Sequence, residues 1–329
     1  MKSARAAHPS RTKLVTAFAT VYLFWGSTFL AIRYAIASVP PFFMSSARFL
    51  IAGSALYTFA RLRGAPPPRR EHWMATFVIG GLLLLGGNGS LVWAEQRIAS
   101  GLAALLVATT PLWMVLFDAL QNQTRPGIRI LLGLAMGISG LVLLVGPSEL
   151  MGSKRVDPAA VAVLLAGSLC WTMGSLYSRR AKLPPQPLST AMQMFVGSAL
   201  LLVAGLLTGE WGRLVLKAVT MQSILAVLYL IVFGSLLGYS AYIWLLGATT
   251  PARVSTYAYV NPVIAVFLGW LIAGEPVTPR TLLAAAVIVS AVALIITDQK
   301  ESLRQNEVSS LVASGAATEP RPEGSSSPM

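Results

Sequence analysis

Stretches of about twenty mostly apolar residues, each closed by a short polar interval, recur ten times along the chain. They run roughly over 14–37, 41–60, 73–93, 99–120, 128–146, 159–178, 188–208, 222–246, 253–273 and 280–297. A hydrocarbon core about 30 Å thick is crossed by about 20 apolar residues in helical form. The pattern therefore predicts an all-α, polytopic membrane protein with ten transmembrane helices. The first run, Leu14 to Ile32, exceeds the roughly 7 to 15 apolar residues of a secretory signal, so it is expected as a membrane helix. After Gln299 the pattern stops. The polar stretch 299–329, ending TEPRPEGSSSPM, cannot bury enough apolar surface to fold and is expected as a disordered cytoplasmic tail.

Composition identifies the solvent. Only 11% of the 329 residues are charged, against about 25% in a water-soluble domain, so lipid is the expected surrounding. The net charge of +13 would suggest nucleic acid in a soluble protein. Here the basic residues fall between the apolar runs, which makes them topology signals and no nucleic acid partner is expected. With the N-terminus inside, the inner flanks hold sixteen Lys and Arg and the outer flanks seven. That bias predicts a multi-pass protein of the inner (plasma) membrane with both termini cytoplasmic.

Little in the chain points to chemistry. Cys170 is the sole cysteine, which excludes an intrachain disulfide and a cysteine metal cluster. His8 and His72 lie in polar flanks without carboxylate or cysteine partners at metal spacing, so no metal is expected. The glycines of GGNGS (86–90) sit in an apolar run and read as close-packing positions, not as a phosphate loop. Neither a G-x-S-x-G elbow nor an H-E-x-x-H pair occurs. The sequence predicts neither an enzyme nor a cofactor.

The chain repeats itself. PPFFMSSARFLIAGSAL (40–56) aligns with PPQPLSTAMQMFVGSAL (184–200) at an offset of 144. Trp25 matches Trp171 at 146, and Trp93 and Pro111 match Trp244 and Pro262 at 151, with Asn88 over Tyr239 and Thr110 over Asn261. Two five-helix copies, 14–146 and 159–297, are expected, joined by GPSELMGSKRVDP (146–158). Because five is odd, the second copy enters the membrane from the other side, giving the inverted repeat that many secondary transporters use. WAEQRIASGLAALLVATTP (93–111) then holds the outward turn between the third and fourth helices, and GATTPA (247–252) its inward counterpart.

WGSTFLAIRYA in the first helix, WAEQRIASGLAALLVATTPLW in the third and fourth, and NPVIAVFLGWLIAGEPVTP near the end resemble the EamA family of the drug/metabolite transporter superfamily, in its YedA-like branch. The resemblance covers about 14–297. It departs at Ile98-Ala99, where the family often has a proline before the serine. It implies ten helices in two EamA units and carrier-type export of small metabolites, such as amino acids or drug-like compounds. The alternative is a non-saturable pore or a structural membrane protein. Monomer and homodimer are both open.

A midplane site needs a few polar and aromatic groups in an apolar cavity. Trp25 and Trp171 offer flat faces to a solute, or else belong to an interfacial belt. Asn88, Tyr239 and, three residues on, Tyr242 are substrate-binding candidates, although interhelical bonding alone would satisfy Asn88. Tyr257 and Asn261 share a helix face. Pro262 and Pro111 read as hinges or as packing kinks. Arg48, which the second copy replaces with Met192, reads as a recognition site for a substrate carboxylate, or as a snorkelling side chain. Glu95 and Arg97 either solvate the outward turn or pair as a gate. No Asp or Glu lies plainly at mid-membrane, so proton coupling has weak support. GLAMG (133–137) is expected as a small-xxx-small helix contact.

Overall fold

The computed structural model describes residues 10–98, 100–145, 157–273 and 277–316. Among them the chain forms α1 (Arg11–Ile36), α2 (Pro41–Leu62), α3 (Arg70–Ala94), α4 (Ser100–Val107 and Thr110–Asn122) and α5 (Ile128–Val145). It continues with α6 (Pro158–Ser178), α7 (Gln186–Leu207), α8 (Met221–Ala248), α9 (Pro251–Val254 and Tyr257–Ala273) and α10 (Pro279–Ala316). The described residues contain no strand. Among the described residues, eight helices are long and apolar enough to cross a membrane. α2 and α9 are not among them: α2 carries Arg48 and Arg61, and the longer piece of α9 has 17 residues. α10 runs on to Ala316, through a stretch expected as disorder. Helix formers such as Glu301, Leu303, Arg304 and Gln305 are frequent there. Most of the linker, Glu275 and the tail beyond 316 lie outside the described residues.

Side chains at the helix starts satisfy backbone N–H groups that have no partner within the helix. Ser10 Oγ accepts from Lys13 N–H, Asp157 from Ala159 N–H and Thr220 Oγ1 from Ser223 N–H. α2 is capped from a distance. Both oxygens of the buried Glu210, between α7 and α8, accept from the N–H groups of Phe42 and Phe43 at 3.1 and 2.9 Å. A carboxylate at a helix N-terminus also meets the positive end of its dipole.

Large apolar side chains such as Leu50, Ile51, Phe59, Leu202, Val203 and Leu206 face outward, while Ser46, Thr172, Ser175 and Gln193 are buried. That is the distribution lipid demands. Equivalent helices also meet each other. α2 packs along α7 and α5 along α10, with Ser46 and Ser198 exchanging bonds across the first pair. The two copies trade their first helices: α1 lies against α8 and α9, and α6 against α3 and α4. Interlocked in this way, neither copy buries its polar face without the other.

α3 and α8 each contain a π-helical segment, Gly81–Gly89 and Leu230–Tyr239. The π-helix is rare, accounting for well under 1% of residues, and occurs frequently at functional sites. The two segments are equivalent in the repeat, and each receives a tryptophan of the other copy. A Cβ on Gly87 would sit 2.5 Å from Trp171, and one on Gly238 would sit 2.5 Å from Trp25. Gly133 and Gly137 of α5 let Ile295 and Tyr259 approach closely, so GLAMG packs within the chain.

Candidate functional site

The two tryptophans meet at the centre of this interlocking. Trp25 and Trp171 lie edge to face with ring centroids 5.6 Å apart, and Tyr242 and Tyr257 complete a four-ring cluster. Hydrogen bonds fix the indoles: Trp25 Nε1 donates to the carbonyl of Gly234 at 3.1 Å, and Trp171 Nε1 to Tyr242 Oη at 2.7 Å. The Gly234 carbonyl belongs to the π segment of α8, where the helical ladder is widened.

Above this cluster lies a cavity that opens in part to solvent. Trp25, Trp171, Asn88, Tyr239, Tyr257 and Asn261 all line it, and so does Arg48. From the rings the lining reaches Ile32, Leu91 and Leu164, toward the face that carries the turn 37–40. On the opposite side, which carries the start of α1, Tyr22 Oη and Thr256 Oγ1 are bonded at 2.6 Å below the rings. Arg179 there donates to the carbonyls of Leu246 and Thr249.

Polar atoms in the lining are short of partners. Arg48 is 4% exposed, its Nε donates to Ser235 Oγ at 2.7 Å, and its guanidinium lies over the Phe49 ring, yet Nη1 has no partner. A charge at this depth costs about 3 kcal/mol on insertion scales. Asn88 Oδ1 and Asn261 Oδ1 are likewise buried and unbonded. Tyr239 is satisfied, donating to Gln193 Oε1 at 2.8 Å.

Not every candidate lines the cavity. Tyr242 does not line the cavity: its hydroxyl is held by Trp171 Nε1 and Ser175 Oγ, so it supports the rings from below. Glu95 and Arg97 stand apart in this arrangement, in which the cavity reaches toward the face with the turn 37–40. Residues two apart at a helix end face different directions, and Arg97 reaches Asp157 at 3.8 Å while stacking on Trp93 at 3.7 Å. Both Glu95 carboxylate oxygens are buried without a hydrogen bond although the residue as a whole is only partly buried. That burial pushes its carboxyl up to about 8. The ladder of α4 is interrupted at 108–109, in the turn just before Pro111, which has no N–H to donate to the Val107 carbonyl, while Leu102–Asn122 remains one span. Pro262 does lie inside its helix, and it lines the cavity. Thr28 and Ser168 line the cavity too, each three residues from a tryptophan on the same helix face. That spacing could have revealed them.

Comparison with known proteins fits this architecture. The EamA-like transporter family matches residues 12–146 and 158–297. The chain is 37% identical to the uncharacterized inner membrane transporter YedA of Escherichia coli strain K12, over 86% of this chain and 90% of that protein. It is 24% identical to the uncharacterized transporter YoaV of Bacillus subtilis strain 168, over 84% of this chain and 94% of that protein. It is also 24% identical, over 82% and 90%, to a Salmonella typhimurium protein named "Probable amino-acid metabolite efflux pump". One crystal structure superposes with a TM-score of 0.70 over 87% of this chain and 96% of that one, at 21% identity, which shows a shared fold.

Proposed function

The chain belongs to the EamA-like transporter family, and on that premise we propose that it is an inner-membrane carrier of small organic solutes working by alternating access. The observation that carries this reading is the cavity bounded by both repeats, with Trp25 and Trp171 in its lining. A solute held between equivalent helices can be exposed to either side when one copy rocks against the other. Closure on one side and space toward the other is the arrangement of one half of such a cycle. The relative named as an efflux pump supports export as the direction. The excess of Lys and Arg supports cytoplasmic termini, which puts the face with turn 37–40 outside.

The test is uptake into proteoliposomes of a mixed pool of labelled amino acids and small aromatic compounds, with and without a proton gradient. A carrier saturates. Trp171→Ala is expected to lower saturable uptake at least about tenfold, the equivalent of 1.4 kcal/mol, while the protein still folds and inserts. Uptake that rises linearly with concentration would support a pore instead, and unchanged uptake by Trp171→Ala would remove that residue from the site.

A further inference from the structure

Of all the residues that line the cavity, Arg48 alone is charged. It forms no ion pair among the described residues, whose pairs lie at Arg69, His72 and Arg97. Arginine stays protonated in proteins, so the cavity wall holds one positive charge with no counter-charge among the described residues. One guanidinium nitrogen is buried without an acceptor. Its hydrogen-bond partner Ser235 Oγ and the Phe49 ring beneath it are neutral. Met192 occupies the equivalent position of the second copy, so the repeat fold itself does not require the charge.

We infer that the cavity takes a small monocarboxylate with an apolar or aromatic body, its carboxylate on the Arg48 guanidinium and its body against Trp25 and Trp171. The inference rests on the carrier reading and names its substrate class. A guanidinium fork matches a planar carboxylate with two parallel N–H···O bonds. One carboxylate balances one arginine. A phosphate ester, at about −1.5 to −2, would leave surplus negative charge among apolar walls, and an amine would add a second positive charge to the first. The side-chain amides of Asn88 and Asn261 can donate or accept. They suit a hydroxyl substituent on the same solute, which leaves its charge unchanged.

Binding of labelled 3-phenylpropionate to the purified full-length protein tests this, with 3-phenylpropionamide, phenylethylamine and phenyl phosphate as competitors. The expected result is that phenylpropionate binds at least about tenfold tighter than the amide, the amine and the phosphate. In Arg48→Met, acid and amide should bind alike. Equal binding of acid and amide by the unaltered protein would overturn the inference, as would tighter binding of amine or phosphate. Retained acid preference in Arg48→Met would overturn it too. If that variant does not fold, the ranking by the unaltered protein decides alone. Saturable carriage of neutral or cationic solutes without carboxylate preference would end this inference and leave the carrier reading standing. Saturable carriage of nothing from the mixed pool would end the carrier reading itself.

Discussion

Glu95 follows directly on the last turn of α3, with both carboxylate oxygens buried and unbonded. An ordinary glutamate titrates near 4.5, and here burial raises the value to about 8. Between those values the folded chain keeps a proton that the unfolded chain has released, so this group makes stability fall as pH rises. Its contribution is fullest below about 4.5, declines through the window and is lost above 8. Glu95→Gln should remove that decline. Thermal unfolding from pH 4 to 9 is expected to show the largest gain for the variant at pH 9, and parallel profiles would refute the assignment. The sequence put Glu95 beside a turn and so made it look solvated. What it could not display is that the chain folds over the carboxylate while leaving part of the residue in contact with water. Arg48 was more legible, because an arginine in the middle of an apolar run has few affordable surroundings. Thr28 and Ser168 were less legible: their spacing from the tryptophans was a signal, but a hydroxyl in a membrane helix can also bond to its own backbone, as Thr28 does to the carbonyl of Trp25.

The π segments of α3 and α8 belong to the scale of the element, and they were not legible. GLLLLGGNG and LIVFGSLLGY are as compatible with an α-helix in lipid as with a wider one, so what marks the segments lies in packing between copies. Gly87 and Gly238 leave room for the tryptophan that crosses from the other copy, and in each case a Cβ would fall 2.5 Å from the ring. Gly87→Ala and Gly238→Ala are therefore expected to destabilise the protein by about 1–3 kcal/mol through overpacking. Both should also reduce saturable uptake, because the rings they displace line the cavity. Gly247, which has nothing within 4 Å of its Cβ position, is the control. An equal loss of stability in Gly247→Ala would show that helix chemistry, not ring packing, governs these sites. The interruption of α4 at 108–109 is legible in Pro111, which lacks the N–H that would close the ladder back to Val107.

At the scale of the molecule, the repeat was visible because Trp25 and Trp171, and Asn88 and Tyr239, stand at nearly constant offsets. The exchange of α1 and α6 between copies was not, since offsets reveal equivalence and not contact. That exchange brings the rings together and closes the cavity toward the side where α1 begins. Cys170 is the sole cysteine, so Cys170→Ala gives a background in which Asn88→Cys can be probed alone. A membrane-impermeant thiol reagent is expected to label it faster from the face with turn 37–40 than from the other, and phenylpropionate should slow the reaction. Equal rates from both faces would contradict the closure at Tyr22 and Thr256. The lone guanidinium also gives the cycle an electrical character. A carrier that moves this site through the membrane field moves one positive charge when empty and none when it holds a monoanion. The field acts with about 2.3 kcal/mol per elementary charge for each 100 mV. An interior-negative potential would then draw the vacant site inward and leave the occupied one indifferent, so that the membrane voltage alone could drive net efflux.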